Sequence, residues 1–519
     1  MRLVDYLDKG AQLGGARPCL TMGETELSYS EVQGISHRVG RALHQKGIKP
    51  GDKVAVLSSN DATAFACVFG ISRAAGVWCP VNPRNEVSEN RYVLDAFDCA
   101  CLIFHSAYAP MVEQMRNELP KLRQWVCLDQ ELPYAPSLAR WLEGVSDAPF
   151  EVAPVDDLAM IAGTGGTTGQ PKGVMLGGGN LETMSALTLM GYPFEGRPSY
   201  LALAPLTHAA GVLCFPIMAL GGRIVVMPKP DLNDFLQLIE RHRITHTFLP
   251  PTLIYTLLAH ADLAKTRLDS LQCFWYGAAP ISAARLEEAL TKIGPVMAQL
   301  FGQTEAPMMI SMMAPKEHFH ADGSIARERL ASAGRPGPLV QVATMDSDGK
   351  LLASGETGEI VVRSSLVMMG YYKDEKATAE AGRNGWHHTG DIGRLDEDGF
   401  LYIVDRAKDM IITGGFNVYS VEVEQALMQH PDIQDGAVIG LPDDKWGERV
   451  VAVLQPHAGR TLQADEVQAF VKARIGSVKS PKQVEVWPDL PRSKVGKVLK
   501  RDIRAELLRR LTTGSTTHD

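Results

Sequence analysis

The sequence predicts an α/β fold: a large amino-terminal domain of parallel-sheet α/β layers with a small β-rich subdomain, followed by a small α+β carboxy-terminal domain. Three observations support this prediction. Helix and strand patterns alternate to about residue 310, short glycine-rich strand patterns fill residues 330–405, and the pattern changes beyond Arg406. At 519 residues the chain is also too long for a single hydrophobic core.

The first 150 residues show the alternation of helix and strand most simply. A helix is predicted at residues 31–46, a strand at Val54–Leu57, a second helix at residues 62–75 and a second strand at Val77–Val81. Strands separated by helices are typical of a parallel sheet with helices on its faces. We expect these residues to be scaffold and not part of a site.

A glycine-rich loop follows the buried strand pattern at Leu158–Ile161. The ten positions from Thr164 to Gly173 hold four glycines, three threonines and one lysine. Glycine permits tight turns, and successive backbone amides form an anion-binding concavity to which Lys172 adds positive charge. The loop is therefore predicted to bind phosphate, although its spacing is neither that of Walker A nor that of the dinucleotide motif. The alternative is a flexible surface loop.

Three later segments each run from a strand pattern into a glycine or proline turn. They are Thr247–Thr252, Phe274–Pro280 and Val296–Glu305. In open α/β sheets, ligands bind beyond the carboxyl ends of the strands. We expect these turns to converge with the glycine-rich loop on one crevice.

The carboxy-terminal part of the chain reads as a separate unit. A helix is predicted at residues 420–430, a strand from Asp435 and another helix at residues 464–475, ahead of a basic stretch at residues 490–510. About 110 residues is an ordinary size for a domain. The predicted division is a large domain at 1–405, a hinge at 406–409 and a small domain at 410–519.

The composition excludes several classes of protein. The net charge of −8 gives no basic field for nucleic acid, and no run of about eighteen apolar residues suggests a membrane span. The start lacks a signal pattern and the end is not a peroxisomal tripeptide, so a cytoplasmic location is predicted. The eight cysteines have no zinc-type spacing and are expected to be reduced and mostly buried.

The glycine-rich loop and five later motifs resemble, in the same order, those of the acyl-adenylate-forming superfamily. This superfamily includes acyl- and aryl-CoA synthetases, adenylation domains of peptide synthetases and firefly-type luciferases. The resemblance spans nearly the whole chain. It implies an AMP-forming acyl-CoA synthetase, an acid–thiol ligase that uses ATP, Mg²⁺ and coenzyme A, with fatty acid metabolism as its setting and a mobile small domain.

The resemblance implies a nucleotide site in the large domain. The phosphates would be held by Thr164, Gly165, Gly166, Thr167, Thr168, Gly169 and Lys172. The adenine would lie against Gly277, Ala278, Ala279, Phe301, Gly302 and Gln303. Phe301 stands where the family usually has tyrosine, and it keeps the stacking face while losing the hydroxyl.

Four more residues are implied to complete that site. Thr304 would contact the α-phosphate, and Glu305 would hold Mg²⁺, a cation that prefers oxygen ligands. Asp391 would accept hydrogen bonds from the ribose hydroxyls, and Arg406 would fix the ribose or the phosphates. For each charged residue the alternative is a solvated surface charge.

The small domain is implied to carry two functional faces. Lys497 resembles the catalytic lysine that bridges the substrate carboxylate and the α-phosphate. The glycines of the opposite face, Gly414 and Gly415, would let the pantetheine arm pass close to the backbone. Lys408 would be the hinge. The neighbouring lysines, Lys494 and Lys500, are expected to be solvated surface.

The resemblance also implies a pocket for the acid. His208 would lie beside the carboxylate, and the remaining pocket positions would be Ala209, Ala210, Gly211, Cys214, Met308 and Met309. Amino-acid-activating relatives usually have aspartate at the position of Ala209, and an unpaired buried ammonium would be costly. A hydrophobic, uncharged acid is therefore expected, whether aliphatic, aryl or alicyclic. The methionines could equally be plain core.

Three alternatives to a free-standing acyl-CoA synthetase stay open. The first is a stand-alone adenylation protein that loads the acyl group onto the phosphopantetheine of a carrier protein. The second is a luciferase-like oxygenase, and the third is a nucleotide-binding module without catalysis. A homodimer is also left open.

Overall fold

The computed structural model describes residues 1–164, 170–206, 209–406, 408–443, 445–493 and 498–514. Helices and strands are numbered here in chain order. The first third alternates between the two, as α1 (Leu3–Gly14), β1 (Pro18–Met22), β2 (Thr25–Ser28), α2 (Tyr29–Gln45), β3 (Lys53–Leu57), α3 (Ala62–Arg73), β4 (Val77–Val81), α4 (Val87–Ala96), β5 (Cys99–Phe104), α5 (Ala109–Met115), β6 (Gln124–Cys127) and α6 (Leu138–Trp141).

The middle third begins with a hairpin and then alternates again. Its elements are β7 (Leu158–Gly163), β8 (Gly173–Gly177), α7 (Gly178–Gly191), β9 (Ser199–Ala202), α8 (Ala209–Ala219), β10 (Arg223–Val226), α9 (Leu232–His242), β11 (His246–Leu249), α10 (Pro251–Leu258), β12 (Cys273–Tyr276), α11 (Ala283–Lys292), β13 (Met297–Gln303) and β14 (Ala306–Met313).

The last third is richer in short strands. Its elements are β15 (Arg335–Pro336), β16 (Gln341–Met345), β17 (Gly358–Arg363), β18 (Gly370–Tyr371), α12 (Glu375–Ala381), β19 (His387–Leu395), β20 (Leu401–Arg406), β21 (Ile411–Thr413), β22 (Phe416–Val418), α13 (Ser420–Leu427), β23 (Ile433–Asp443), β24 (Gly447–Pro456), α14 (Ala464–Lys479), β25 (Gln483–Val486) and α15 (Lys500–Gly514).

Two large sheets dominate the amino-terminal part. One has nine strands in the order β15-β14-β13-β12-β11-β9-β10-β1-β2, and the other has seven in the order β18-β8-β7-β4-β3-β5-β6. In the nine-stranded sheet the inner strands pair in parallel and both edges are antiparallel. In the seven-stranded sheet β18, β8 and β7 pair antiparallel at one edge, and the other strands pair in parallel as far as β6 at the opposite edge. The predicted parallel-sheet α/β architecture is confirmed.

Helix α2 begins two residues earlier than the apolar pattern indicates. The reason is a capping box at its amino end: the Ser28 hydroxyl accepts from the Glu31 amide at 3.2 Å, and the Glu31 carboxylate accepts from the Ser28 amide at 2.7 Å. The two side chains thus satisfy two backbone amides that have no acceptor within the first turn of the helix. Local hydrogen bonding therefore sets the start of this helix.

Four strands between residues 341 and 406 form an antiparallel sheet, β16-β17-β19-β20, which is the predicted β-rich subdomain, while β18 from the same stretch joins the seven-stranded sheet. The chain beyond it forms a second small sheet, β22-β21-β24-β23, with β25 parallel to β24. Alternate residues of this sheet bury opposite faces: Val438 packs with α13 and α14, and Ile439 packs with α15. The predicted small α+β unit is confirmed as a fold.

None of the eight cysteines, all of them described residues, forms a disulfide, and all eight side chains are fully buried. Burial disfavours the thiolate and raises the pKa of Cys101 to about 12. Among the described residues, none of the helices combines the length and the apolar character that crossing a bilayer requires.

Candidate active site

The phosphate-type loop joins the two strands of a hairpin. Strands β7 and β8 are antiparallel, and the Thr164 amide donates to the Lys172 carbonyl at 3.0 Å, so these two residues close the base of the loop. The Lys172 side chain is exposed, and its ammonium lies 4.8 Å from the centre of the Tyr371 ring. The remaining predicted phosphate residues, Gly165, Gly166, Thr167, Thr168 and Gly169, lie outside the described residues.

The predicted adenine residues follow the carboxyl end of β12. A side chain at Gly277 would place its Cβ 2.3 Å from the Leu300 carbonyl oxygen of the neighbouring strand, so only glycine fits there. Ala278 is exposed and has a φ of +66°, which is uncommon for a residue with a Cβ. Ala279 is half-buried. Strained backbone of this kind is concentrated at functional sites.

The end of β13 carries Phe301, Gly302 and Gln303, all half-buried. The Gln303 amide nitrogen donates to the Thr389 carbonyl at 3.1 Å, and its carbonyl oxygen lies 3.0 Å from His387 Nε2. Burial lowers the pKa of His387 to about 4, so the ring is neutral at pH 7 and its Nε2–H can donate. These bonds fix the Gln303 side chain against the four-stranded sheet.

Thr304 and Glu305 form the turn between β13 and β14. The Tyr371 hydroxyl donates to Glu305 Oε1 at 2.8 Å, and the Met368 amide donates to the Glu305 carbonyl at 2.7 Å. No lysine, arginine or histidine among the described residues lies within ion-pair distance of this carboxylate. Glu305 is thus a half-buried carboxylate held by neutral donors, and Thr304 lies beside it.

Asp391 and Arg406 are cross-strand neighbours on β19 and β20. Arg406 Nε lies 2.7 Å from Asp391 Oδ1, with the Asp391 side chain buried and the Arg406 side chain half exposed. The predicted ribose residues are therefore in contact. The carboxylate is held in the sheet, while the guanidinium reaches it from solvent.

Most of the predicted acid-pocket residues lie on or near α8 and β14. Ala209, Ala210, Gly211 and Cys214 belong to α8, and Met308 and Met309 to β14. A Cβ at Gly211 would overlap the Leu206 carbonyl, so glycine is required at this position. Cys214 and Met309 are fully buried in the main core cluster, and Met308 is nearly so. His208 lies outside the described residues.

The predicted pantetheine loop is a two-residue hairpin turn between β21 and β22. Gly414 and Gly415 both have positive φ, +57° and +81°, as such a turn requires. Both are exposed. Lys408 lies in the turn that follows β20. Lys497 and Lys494 lie outside the described residues.

The expectation that Lys500 is solvated surface is wrong. Its ammonium lies 2.8 Å from Glu424 Oε1 and donates to the Ser420 hydroxyl at 2.6 Å. The Ser420 hydroxyl and amide in turn donate to Asp405, the residue before the predicted hinge. The available signal was Glu424, which lies one helical turn from the buried Ser420 on α13 and, being mostly buried itself, needs a nearby cation.

The structure thus brings together several groups that are distant in the sequence. Lys172 and Glu305 meet at Tyr371, Gln303 meets Thr389, and Asp391 meets Arg406. Sequence reasoning did not identify Tyr371 or the residues around Lys500. The assembled groups, a cation, a carboxylate and several close-packed glycines at strand ends, are suited to a nucleotide.

Comparison with known families decides the matter. Residues 7–372 match the AMP-binding enzyme family, and residues 422–497 match the AMP-binding enzyme C-terminal domain. The chain belongs to the AMP-binding enzyme family. The predicted resemblance to acyl-adenylate-forming enzymes is confirmed.

Relatives of known activity align over nearly the whole enzyme. It is 36% identical to the medium/long-chain-fatty-acid–CoA ligase FadD8 of Mycobacterium tuberculosis, over 94% of this chain and 87% of that protein. It is 34% identical to a feruloyl-CoA synthase of an Amycolatopsis species, over 93% and 94%. It is 30% identical to the fatty acid–[acyl-carrier-protein] ligase ScoC of Streptomyces coeruleorubidus, over 97% and 96%.

A solved structure shares the fold. The amide bond synthetase McbA from Marinactinospora thermotolerans is 28% identical, with a TM-score of 0.89 over 97% of this chain and 99% of that one. The predicted enzyme class, an AMP-forming acyl-CoA synthetase, is confirmed by the family and the relatives. The roles of individual residues and the limits of the domains stay predictions. Residues 373–421, between the two matched regions, include the predicted hinge.

Proposed function

We propose that the enzyme is an ATP-dependent carboxylic acid–CoA ligase that forms an acyl-adenylate and then an acyl-CoA thioester. The observation that carries this proposal is the meeting of Lys172 and Glu305 at Tyr371. A cation for phosphate oxygens and a carboxylate for a hard metal ion are the two groups that binding of a metal-bound triphosphate requires.

In the first step, the substrate carboxylate attacks the α-phosphorus of ATP and pyrophosphate leaves. The chain contributes position and charge and no nucleophile of its own. Lys172 and the loop amides hold the phosphates, and the Thr304 hydroxyl contacts the α-phosphate. Lys497 from the small domain neutralises the negative charge that builds as pyrophosphate leaves.

Glu305 is the proposed Mg²⁺ ligand. The residue fits this role because its carboxylate is half-buried, is oriented by a hydroxyl and has no cationic partner among the described residues. Mg²⁺ bound there would neutralise phosphate charge. The adenosine would lie between the turn after β12 and the end of β13, with Asp391 accepting from the ribose hydroxyls.

In the second step, the small domain rotates about the hinge at residues 406–409, with Lys408 at its centre. Lys497 leaves the crevice and the hairpin turn at Gly414 and Gly415 replaces it. The pantetheine thiol then attacks the acyl carbonyl and AMP leaves. Two positive-φ glycines with no side chains suit a surface along which a narrow arm must pass.

The acid is proposed to be hydrophobic and uncharged. Ala209 offers no carboxylate for a substrate ammonium, and the side chains of Cys214, Met308 and Met309 lie in apolar surroundings. Methionine adapts to irregular shapes. His208 would lie beside the substrate carboxylate. Fatty-acid and feruloyl ligases among the relatives are consistent with either an aliphatic or an aryl acid.

The test separates the two half-reactions. A panel of aliphatic, aryl and alicyclic acids is incubated with ATP and Mg²⁺, and pyrophosphate release is measured before and after addition of coenzyme A. We expect acid-dependent pyrophosphate release and a thioester only when coenzyme A is present. Release of inorganic phosphate with ADP, or no response to any acid, would contradict the proposal.

Lys497→Ala provides the internal control. We expect pyrophosphate release to fall by about 10²- to 10³-fold, because one preorganised charge contact in a transition state typically contributes that much. Thioester formation from a supplied acyl-adenylate should change far less, because Lys497 is absent from the second step. Equal loss in both half-reactions would refute the division of labour.

The second candidate function is transfer to a carrier protein in place of free coenzyme A. Its support is the 30% identity to a fatty acid–[acyl-carrier-protein] ligase over nearly the whole chain. Both acceptors present the same phosphopantetheine thiol. Competition between coenzyme A and a phosphopantetheinylated carrier, with product identified by mass, would distinguish the two.

A further inference from the structure

Tyr371 contacts two predicted ATP-site residues at once. Its hydroxyl donates to Glu305 Oε1 at 2.8 Å, and the Lys172 ammonium lies 4.8 Å from the centre of its ring. Lys172 belongs to the base of the phosphate loop, and Glu305 belongs to the turn after β13. A single side chain therefore joins two elements of different sheets.

The backbone around Tyr371 fixes where its ring lies. Strand β18 pairs with β8 immediately after the phosphate loop, with Tyr371 opposite Val174. The Tyr371 amide also donates to the Thr378 hydroxyl at 2.9 Å, and this bond restrains the residue further. Gly370 has a φ of +142°, and a Cβ there would lie 2.8 Å from Thr378 Cγ2. Through this pairing, Tyr371 is fixed to β8, the strand that directly follows the phosphate loop.

The two contacts have different physical consequences. The hydroxyl occupies one carboxylate oxygen of Glu305, and among the described residues the other oxygen has no hydrogen-bond donor, which suits it to a ligand. The ring attracts the Lys172 ammonium through its negative face without neutralising it, as a carboxylate would do. Burial and the Glu305 charge raise the pKa of Tyr371 well above its ordinary range, so the hydroxyl keeps its proton.

We propose that Tyr371 is a positioning residue that aims the Glu305 carboxylate at the metal and holds Lys172 beside the phosphates. The proposal rests on the proposed function. Outer partners of a metal ligand commonly change metal affinity by about 10- to 100-fold when removed. Loss of an exposed cation–π contact of about 0.5–1 kcal/mol corresponds to roughly two- to five-fold.

The next residue in the chain supplies a matched control. The Tyr372 hydroxyl donates to Asp98 at 2.7 Å. The ammonium groups of Lys53 and Lys373 lie 5.1 and 5.4 Å from the centre of the Tyr372 ring. Tyr372 also has its hydroxyl on a carboxylate and lysines at its ring, although Asp98 is itself paired with Lys121 and Lys373. Its partners are not residues of the predicted site.

The experiment measures ATP binding by calorimetry with and without Mg²⁺, which requires neither the acid nor the acceptor. We expect Mg²⁺ to strengthen ATP binding by the wild-type enzyme, and Tyr371→Phe to reduce that gain about ten-fold while binding in EDTA is unchanged. Tyr371→Leu should also weaken binding in EDTA by about two- to five-fold, because it removes the ring. Tyr372→Phe should match the wild type in both conditions.

A second measurement uses turnover. The Mg²⁺ concentration for half-maximal pyrophosphate release should rise about ten-fold in Tyr371→Phe, with kcat at saturating Mg²⁺ nearly unchanged. An unshifted Mg²⁺ dependence in Tyr371→Phe, an equal shift in Tyr372→Phe, or wild-type ATP binding that ignores Mg²⁺ would overturn the proposal. Mg²⁺-dependent ATP binding without acid-dependent turnover would instead overturn the proposed function alone.

Discussion

Asp405 and Arg406 are consecutive residues of β20, and their side chains contact different parts of the protein, Ser420 and Asp391 respectively. Side chains of neighbouring strand residues point to opposite faces. Asp405 is fully buried against the small domain, whereas Arg406 is half exposed and reaches Asp391 in the four-stranded sheet. One residue therefore belongs to a buried charge cluster and the next to an ion pair that is exposed only at its guanidinium end.

The two sets of charges differ in what surrounds them. We call Asp405, Ser420, Glu424 and Lys500 the anchor cluster. Within it Glu424 also accepts from the Val438 amide at 2.8 Å, so three elements of the small domain converge on the end of β20. Burial raises the pKa of Asp405 and of Glu424, while Glu424 and Asp405 raise the pKa of Lys500 against the opposing effect of its burial.

The Asp391–Arg406 pair has solvent only at its guanidinium end. Exposed ion pairs contribute little to stability, about 0–1 kcal/mol, and this pair lies between that case and a buried pair, because the Arg406 side chain is 47% exposed and the Asp391 side chain only 5%. Removing one partner of a buried pair costs much more, because the remaining charge is left without compensation. In this conformation the small domain is held against β20 through Asp405, and a rotation about residues 406–409 would have to break these contacts.

Breaking the anchor cluster should have the largest effect. Lys500→Met leaves Glu424 without its cation, and we expect the free energy of unfolding of the small domain to fall by about 3–5 kcal/mol. The measurement is denaturant unfolding followed by a small-domain probe such as Trp487. Lys479→Met is the matched control, because Lys479 pairs with Glu422 at 2.6 Å and both side chains are about one third exposed. This substitution should cost less than about 1 kcal/mol. Equal losses would contradict the comparison.

Removing the Asp391 carboxylate should affect ligand binding instead. We expect Asp391→Asn to weaken ATP binding by about 10- to 100-fold, because hydrogen bonds to a charged group contribute roughly 1.5–3 kcal/mol. The loss should largely disappear with 2′,3′-dideoxy-ATP, which lacks the ribose hydroxyls. If the variant weakens both nucleotides equally, Asp391 does not bind the ribose.

The pH dependence of the Lys500→Met effect sharpens the distinction. A carboxyl whose pKa is raised on folding stabilises the folded state at low pH, and that contribution is lost as pH rises through the folded pKa. Without Lys500, the pKa of Glu424 and of Asp405 should rise further. The deficit of the variant should therefore be smaller at pH 5.5 than at pH 8, by about 1 kcal/mol or more. A deficit that does not depend on pH would argue against buried, uncompensated carboxylates.

A smaller effect on stability is expected for Arg406. Arg406 is half exposed and glutamine can still donate to the buried Asp391 carboxylate, so Arg406→Gln should lower the free energy of unfolding by about 1–2 kcal/mol, less than Lys500→Met does. Its effect should also appear in the KM for ATP, with kcat less affected. A change of several kcal/mol would show that Arg406 shares the anchoring role of Asp405.

The sequence was informative where the signal is local. The strand before the phosphate loop, the strands at Val54–Leu57 and Val77–Val81, and the glycine turns were predictable because periodicity and glycine content determine them. Strand β8 was missed because its flanking glycines resemble a continued loop. The partners of Lys500 and the position of Tyr371 depend on contacts between distant elements, and neither periodicity nor spacing encodes those contacts.

The complete burial of the eight thiols has a practical consequence for the bench. A chromogenic disulfide reagent added to the folded enzyme should not react with its buried cysteines. The colour that develops in the presence of coenzyme A therefore measures the concentration of the free coenzyme A thiol. Consumption of the acceptor can then be followed continuously in one cuvette. Under denaturing conditions the same reagent measures the rate of unfolding, because each cysteine reacts only when the core around it has opened.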